Sequence, residues 1–272
     1  MKKRQKLGFI GAGNMATALI KGLIESKTYT PKDLLAADCT EMALKKISGE
    51  FGVSCGPSNS DIVTQSGVVI LSVKPQVIRE VVEGIKDELR EEHLVISIAA
   101  GIPLKMIQDM IQKDIPLIRV MPNTPALVLQ GVSALAAGPS ATPAHMETAK
   151  EIFEAVGDTV EVTEEMMDAV TAVSGSGPGY VFYLMECMVD AALEVGLEPD
   201  VATRLVIQTV LGAGYLAKNS TYSLSQLREK VTSPGGTTEA GLGVMKEQGV
   251  KAVIEQAVDA ACRRSVELGK TQ

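Results

Sequence analysis

The chain has 272 residues, of which 46% are hydrophobic and 22% are charged, so it can build one large or two ordinary domains. A net charge of −7 without a basic run argues against nucleic acid as a partner, and 3% aromatic residues argue against a base-stacking surface. The four cysteines lie far apart without a C-x-x-C pair, which indicates reduced thiols in a cytoplasmic protein rather than a metal site or disulfide framework: Cys39, Cys55, Cys187 and Cys262.

Two segments imitate membrane-directed signals, and we reject both. The basic N-terminus precedes an apolar run, but Gly11, Gly13 and Asn14 interrupt that run and no convincing cleavage site follows. Residues 120–144 carry no charge, yet repeated prolines and a glycine break this segment too often for a helix that spans a bilayer. We therefore expect no membrane partner.

Residues 6–23 carry the strongest local signal in the chain. Leu7–Ile10 is predicted as a buried strand, and the next residues fit the G-x-G-x-x-G/A dinucleotide fingerprint before a helical spacing begins. Glycines permit a tight turn and a close approach to a pyrophosphate, which the amides of the helix N-terminus then face. An ordinary strand-to-helix turn is the alternative. The candidate residues for binding a dinucleotide are Gly11, Ala12, Gly13, Asn14 and Met15, with Ala16 as the small final position.

Asp38 follows a second apolar run, Leu34–Ala37, where a dinucleotide-binding fold places an acid that binds the adenosine ribose. The alternative is a plain N-cap or turn residue, since a helix is predicted over 40–50 with Thr40 as another possible cap. Both interpretations of Asp38 stay open at this point.

Three further apolar runs, at residues 68–73, 94–98 and 117–121, each end in a polar loop. Strands that alternate with amphipathic helices predict an α/β fold with a Rossmann-type, doubly wound parallel sheet. Ligands bind beyond the carboxyl ends of the strands in such sheets. We therefore expect the fingerprint turn to share one crevice with Asp38, Lys74, Ala100, Gly101 and Asn123, although Lys74 has the alternative of a plain surface residue.

The pattern changes after two more predicted strands, at 131–137 and 159–162. The remainder is helical, so we expect a dinucleotide-binding Rossmann domain over 1–163 and an all-helical substrate-binding and dimerisation domain over 164–272. These helices are apolar on more than one face, which predicts the pairing of subunits.

One loop of the helical half, VTSPGGTTEA at 231–240, departs from a core-building pattern. Gly235 and Gly236 expose several amides after Ser-Pro, and two threonine hydroxyls follow where a helix begins, an arrangement suited to a substrate carboxylate. An ordinary loop with a serine cap and proline at the first helical position is the alternative. A second glycine-rich turn, at 174–179, is expected near the same crevice.

Over essentially its full length the sequence resembles the pyrroline-5-carboxylate reductases. The shared motifs are GFIGAGNMA at 8–16, VKP at 73–75, AAG at 99–101, NTP at 123–125, DAVTAVSGSGP at 168–178 and VTSPGGTT at 231–238. The resemblance implies reduction of the ring C=N bond of 1-pyrroline-5-carboxylate to L-proline with NADPH or NADH, the last step of proline biosynthesis.

The resemblance also implies roles for individual residues. For the dinucleotide these are Ile10, Gly11, Ala12, Gly13, Asn14, Met15, Asn59, Ser72, Val73, Lys74, Pro75, Ile98, Ala99 and Ala100. For the substrate they are Ser233, Gly236, Thr237 and Thr238, with Thr238 as the catalytic hydrogen-bond partner of the ring nitrogen. The family further implies an obligate homodimer with intertwined C-terminal helices, a decamer of five dimers as a larger assembly, and an active site built from two chains. No metal is expected, and neither His93 nor His145 is expected to be catalytic.

Asp38 departs from the family, many of whose members carry a small hydroxyl or basic residue there. An acid repels the 2′-phosphate of NADP, so the choice between NADH and NADPH stays open, with Lys45 and Lys46 as possible compensating cations. A β-hydroxyacid dehydrogenase is the alternative enzyme, but the turn at 174–179 has no lysine in the helical turn that follows. A nucleotide-sensing regulator is the non-enzymatic alternative, and it would leave the Ser-Pro-Gly-Gly-Thr-Thr segment without a purpose.

Overall fold

The structure is a computed structural model and describes residues 5–270. Its strands are β1 (Leu7–Ile10), β2 (Leu34–Ala37), β3 (Ser54–Cys55), β4 (Val68–Leu71), β5 (Leu94–Ser97), β6 (Leu117–Met121), β7 (Gly131–Ala137) and β8 (Gly157–Glu161). They form one sheet in the order β3-β2-β1-β4-β5-β6-β7-β8. The first six strands have the order of a dinucleotide-binding Rossmann sheet, which reverses between β1 and β4 and confirms the predicted fold class.

Helices cover both faces of this sheet. They are α1 (Asn14–Glu25), α2 (Glu41–Phe51), α3 (Asn59–Gln65), α4 (Ile78–Ile85), α5 (Leu104–Ile111) and α6 (Pro143–Glu154). Leu7 and Phe9 pack into one apolar layer with Phe153 of α6, whereas Ile10 packs into the other layer with Ile107 of α5. This division follows from the strand period of two, because successive side chains point to opposite faces.

The predicted sheet is mostly parallel, and the pair of β6 with β7 is antiparallel. β7 runs antiparallel to β6, with Ile118 opposite Ala137 and Met121 opposite Ala134, and β8 then runs parallel to β7. Only residues 122–130 join β6 to β7. A parallel neighbour needs a crossover of about a dozen residues or more, so the short connection produces the antiparallel pair.

Two details of the strands differ from what the sequence analysis described. β3 was not expected, because Ser54 and Cys55 form no apolar run, yet Cys55 pairs with Ala36 at the edge of the sheet. β4 ends at Leu71 rather than at residue 73, since the chain turns at Ser72 towards the loop that follows.

The second half of the chain is helical, as predicted, and contains no strand between β8 and residue 270. Its helices are α7 (Met167–Val170), α8 (Gly177–Glu194), α9 (Pro199–Lys218), α10 (Leu224–Lys230), α11 (Thr237–Glu247) and α12 (Val250–Lys270). A π-helical turn, Thr171–Gly175, lies between α7 and α8. Among residues 5–270, none of these helices has the length and apolar character needed to cross a membrane.

The chain forms two compact units. The first contains residues 5–176 and 261–270, and the second contains residues 177–260. Within the first unit, the Ser265 hydroxyl of α12 donates to the Asp168 carboxylate across 2.6 Å, and Glu164 forms an ion pair with Arg119 of β6. The hydrogen bond joins α12 to α7, and the ion pair holds the segment after β8 against the sheet.

The second unit leaves many large apolar side chains uncovered. Phe182 and Tyr183 of α8 are 63% and 68% exposed, and Leu211 and Tyr215 of α9 are 61% and 71% exposed. No residue of α8 is buried. The helices α8 and α9 therefore expose more apolar surface than a monomeric soluble protein usually does.

Candidate functional site

The glycine-rich turn after β1 has a backbone that only glycine fits. Gly11 has a φ of +99°, and its N–H donates to the Ala37 carbonyl across 2.8 Å. A Cβ on Gly11 would lie 2.6 Å from the carbonyl oxygen of Ser72. The turn therefore lies tightly between β2 and β4, at the point where the strand order reverses and a dinucleotide crevice is expected.

The start of α1 is open to an anion. Gly13 is its N-cap, provides no side-chain cap, and has no atom within 4 Å of the position that a Cβ would occupy. The N–H groups of Asn14, Met15 and Ala16 have no hydrogen-bond partner within the described part of the chain. Uncapped amides at a helix N-terminus, with space above Gly13, fit a dinucleotide pyrophosphate.

Ser72 fastens the end of β4 to the same turn. Its hydroxyl lies 2.7 Å from the Gly11 carbonyl and 3.0 Å from the Ile10 carbonyl, and its N–H donates to the Ile10 carbonyl across 2.9 Å. Val73 is partly buried, Lys74 is exposed, and Pro75 begins a short 3₁₀ turn. The exposed ammonium group of Lys74 is thus available at the carboxyl edge of the sheet.

Asp38 contacts the glycine-rich turn directly. Its Oδ2 accepts the Ala12 N–H across 2.7 Å, and its Oδ1 accepts the Thr40 N–H across 2.7 Å. Burial raises the pKa of Asp38, but the hydrogen bonds together lower it by more than burial raises it. The pKa therefore lies below its ordinary value. The N-cap of α2 is Thr40, so Asp38 is not that helix's cap.

The remaining cofactor candidates lie after neighbouring strands. Ile98 donates its N–H to the Leu71 carbonyl, and the buried Ala99 donates its N–H to the Ser97 hydroxyl. Ala100 is exposed beside them. Asn59 is the first residue of α3 and follows β3, so the parallel pairing of β2 with β3 puts its loop at the same edge. The predicted cofactor residues thus gather at the carboxyl ends of β1 to β5.

Asn123 connects two segments of the first unit. Its amide nitrogen donates to the Ser174 carbonyl across 3.2 Å, and its amide oxygen accepts the Val132 N–H across 3.0 Å. Both polar atoms of the side chain are therefore engaged by backbone, which ties the loop after β6 to the π-helical turn.

The loop at 231–236 ends in the start of α11. Gly236 is the N-cap, so the alternative with Ser233 as cap and Pro234 at the first helical position does not describe this helix. Gly235 has a φ of +72°, and the Gly236 N–H donates to the Ser233 carbonyl across 3.0 Å. The loop therefore closes on itself just before the helix.

The first N–H groups of α11 are uncommitted. Among residues 5–270, the backbone N–H groups of Thr237, Thr238 and Glu239 have no hydrogen-bond acceptor, and no side chain caps the helix. The Thr237 and Thr238 side chains are exposed beside them. Such a helix start can bind a carboxylate and hold a second polar atom next to it.

Glu239 was not singled out from the sequence. Its Oε2 accepts the Gly235 N–H across 2.7 Å, so it stabilises the loop from the third position of α11. An acid three residues after an N-cap is a known helix-start signal, which could have identified Glu239.

Each histidine accepts a local backbone hydrogen bond. His93 Nδ1 accepts the Arg90 N–H across 2.8 Å, and His145 Nδ1 accepts the Thr142 N–H across 3.1 Å at the start of α6. Across the described residues, no group of three or more histidine, cysteine or acidic side chains is placed to hold a metal ion.

The fold and the site together define a dinucleotide-dependent oxidoreductase. Residues 6–101 match the family model described as NADP oxidoreductase coenzyme F420-dependent, and residues 164–268 match the pyrroline-5-carboxylate reductase dimerisation model. The pyrroline-5-carboxylate reductase of Methanosarcina acetivorans is 43% identical over 268 residues, which cover 98% of this chain and 99% of that protein. This chain belongs to the pyrroline-5-carboxylate reductase family.

Two solved structures support the same assignment. A pyrroline-5-carboxylate reductase from Coxiella burnetii matches with a TM-score of 0.94 and 36% identity, over 98% of this chain and 99% of that one. The pyrroline carboxylate reductase of Plasmodium falciparum, solved with NADP bound, matches with a TM-score of 0.87 and 30% identity, over 98% of each chain. The enzyme class and a nicotinamide dinucleotide as cofactor follow from these relationships.

Proposed function

We propose that this chain reduces the ring C=N bond of 1-pyrroline-5-carboxylate to give L-proline, the last step of proline biosynthesis. The observation that carries the proposal is the uncapped start of α11 after the Ser-Pro-Gly-Gly turn, where three N–H groups have no partner within residues 5–270. A second anion site, in addition to the one at the start of α1, suits a substrate that carries a carboxylate. Family membership favours the reductase over both the β-hydroxyacid dehydrogenase and the nucleotide-sensing regulator.

The first unit would hold the cofactor through the edge residues described above. The amides at the start of α1 bind the pyrophosphate, and the glycine at position 13 leaves room for it. When bound, the nicotinamide would supply the hydride that the carbon of the substrate C=N bond accepts. The residues that contribute to cofactor binding are Ile10, Gly11, Ala12, Gly13, Asn14, Met15, Asp38, Asn59, Ser72, Val73, Lys74, Pro75, Ile98, Ala99 and Ala100.

The loop and the start of α11 would hold the substrate. The uncommitted N–H groups of Thr237, Thr238 and Glu239 would bind its carboxylate together with the Ser233 hydroxyl, and the Thr238 hydroxyl would bond to the ring nitrogen. Gly235 and Gly236 would shape this site through the turn of their backbone, since their own N–H groups bond to Glu239 and Ser233. A protonated imine accepts hydride more readily, and the substrate can bring that proton with it. Thr238 then needs only to orient the N–H group and share its proton, so alignment is the main contribution of the protein.

The decisive experiment measures oxidation of NADH and of NADPH in parallel, with 1-pyrroline-5-carboxylate as substrate and L-proline quantified as product. We expect substrate-dependent oxidation with at least one cofactor and L-proline in equal amount. Absence of L-proline with both cofactors, from a protein that still binds a dinucleotide, would overturn the proposed reaction.

We also infer a homodimer, with a decamer of five dimers as the larger assembly. The dimerisation model covers residues 164–268, and the exposed apolar faces of α8 and α9 are suited to a second copy. Sedimentation or light scattering gives the mass in solution. A monomer at micromolar concentration would contradict the dimer, and a mass that stays dimeric would contradict the decamer.

The cytoplasm is the compartment that we propose. All four cysteines are free thiols in the structure, including the exposed Cys39 and Cys187. Reduced surface thiols persist in a reducing compartment. Fractionation of cells that express a tagged chain tests this, and enrichment outside the cytoplasmic fraction would contradict it.

A further inference from the structure

Asp38 is an anion fixed at the end of β2. Two backbone N–H groups, from Ala12 and Thr40, bind its two oxygens at 2.7 Å each, and these bonds keep its pKa below the ordinary carboxyl value despite partial burial. The side chain therefore carries a full negative charge at neutral pH. Because Ala12 belongs to the glycine-rich turn, this charge lies beside the pyrophosphate-binding start of α1.

Each carboxylate oxygen retains acceptor capacity. An ionised carboxylate offers about four lone-pair sites, of which the two backbone N–H groups use two. The free lone pairs can accept hydrogen bonds from the two hydroxyl groups of an adenosine ribose that carries no phosphate. A phosphate on the same ribose has no hydrogen to donate at full ionisation, and it would place a second anion against the first.

Among residues 5–270, the charge of Asp38 is not neutralised by an ion pair of 4.0 Å or less. Lys45, one of the two candidate cations on α2, pairs with Glu41 across 2.8 Å. Glu41 itself lies in the first turn of α2, so residues 38–42 contain two acids and no base.

We propose that Asp38 makes this enzyme prefer NADH over NADPH, by binding the ribose hydroxyl groups and repelling a 2′-phosphate. This inference rests on the proposed function, which names the reaction but leaves the cofactor open.

The first test compares kcat/KM for NADH and for NADPH with the wild-type protein and saturating 1-pyrroline-5-carboxylate. We expect NADH to be favoured about tenfold or more, the effect of one partly screened charge repulsion. A ratio at or below one would overturn the inference. Dissociation constants for the two cofactors, measured without substrate, give a second ratio that does not depend on turnover.

The variants Asp38→Asn and Asp38→Ser test whether Asp38 selects between the two cofactors or only stabilises the glycine-rich turn through its hydrogen bonds. Loss of the charge should reduce the NADH-to-NADPH ratio about tenfold or more, because NADPH improves relative to NADH. If Asp38 only supports the turn, both cofactors weaken together and the ratio stays unchanged, which would overturn the inference. Glu50→Gln, the same loss of charge at an exposed position of α2, is the matched control and should leave the ratio as in wild type.

The outcomes keep the two proposals distinct. A protein that binds NADH more tightly than NADPH but yields no L-proline supports the role of Asp38 and refutes the reaction. A protein that yields L-proline equally well with both cofactors supports the reaction and refutes the role of Asp38.

Discussion

The Gly235 N–H donates to the Glu239 carboxylate across 2.7 Å, and this bond joins the Ser-Pro-Gly-Gly turn to the first turn of α11. Gly235 has a φ of +72°, in the left-handed region, and the Glu239 carboxylate is the side chain that bonds to its backbone. The bond leaves the N–H groups of Thr237 and Thr238 free for a ligand. The shape of the proposed substrate site therefore depends on a side chain that would not itself contact the substrate.

Replacement of Glu239 should weaken substrate binding selectively. In Glu239→Ala the loop loses a charge-assisted hydrogen bond. We expect KM for 1-pyrroline-5-carboxylate to rise about three- to tenfold, which corresponds to about 1 kcal/mol of lost binding free energy. Steady-state kinetics measure this effect, with the KM for cofactor unchanged. Glu247→Ala, at the exposed far end of α11, is the control, and an equal rise in that variant would argue against a local role.

The Thr238 hydroxyl should act on turnover rather than on cofactor binding. We expect Thr238→Ala to reduce kcat/KM about tenfold or more, because a hydrogen bond to a charged group contributes about 1.5–3 kcal/mol. Thr238→Ser keeps the hydroxyl and should recover most of the activity. Cofactor affinity, measured separately, should match wild type in both. Unchanged kcat/KM in Thr238→Ala would remove this residue from the mechanism.

Two glycines of one turn should respond differently to an added methyl group. Gly11→Ala forces a φ of +99° on alanine and a contact of 2.6 Å with the Ser72 carbonyl, so we expect a loss of at least about 1–2 kcal/mol in the free energy of unfolding. Urea unfolding measures this change. Retention of wild-type stability would show that the turn tolerates a side chain.

Gly13→Ala is the counterpart. Its backbone φ of −73° suits alanine, and no atom lies within 4 Å of the new Cβ, so stability should stay within about 0.5 kcal/mol of wild type. The methyl group would instead obstruct the pyrophosphate, and cofactor affinity should fall about tenfold or more. Calorimetric titration tests this, and normal affinity would place the pyrophosphate elsewhere.

The ion pair between Arg119 and Glu164 should be far more important for stability than a surface pair. Their side chains are 6% and 27% exposed, their charged atoms lie 2.9 Å apart, and the same Glu164 oxygen accepts the Leu104 N–H. Arg119→Met leaves the carboxylate without its cation, and we expect a loss of about 3–5 kcal/mol in unfolding free energy.

Two further variants test that interpretation. Lys105→Met removes the exposed pair with Asp109 and should cost about 0–1 kcal/mol. The double variant Arg119→Met with Glu164→Gln should recover part of the loss, because no uncompensated charge remains. Strict additivity of the two single changes would indicate that the residues are not coupled.

The Asp38 carboxylate should make stability depend on acidic pH. Burial raises its pKa but hydrogen bonds from Ala12 and Thr40 lower it by more in total, so the folded-state pKa lies below the unfolded value. The stabilising contribution is then present above the unfolded carboxyl pKa of about 3.9 and is lost as pH falls through the folded-state pKa. Asp38→Asn should therefore be less stable than wild type at neutral pH, with a difference that shrinks below about pH 4. Urea midpoints across this range measure the difference, and a constant difference would contradict the account.

Much of the fold follows from the sequence because buried parallel strands form short apolar runs, as at Leu94–Ser97 and Leu117–Met121. The direction of β7 does not follow, since an apolar run specifies a strand but not its orientation. The exposed Ser54 and Cys55 of β3 pair only because the edge of β2 is available. At the candidate site, the fingerprint located the glycine-rich turn. The hydrogen bonds from Ala12 to Asp38 and from Gly235 to Glu239 became visible only in the structure.

The most direct measurement follows the hydrogen itself. NADH or NADPH that carries deuterium at the transferable position of the nicotinamide is incubated with 1-pyrroline-5-carboxylate and the protein, and L-proline is analysed by mass spectrometry. We expect L-proline to gain one deuterium at the former imine carbon. Unlabelled L-proline, or cofactor oxidation without L-proline, would contradict it.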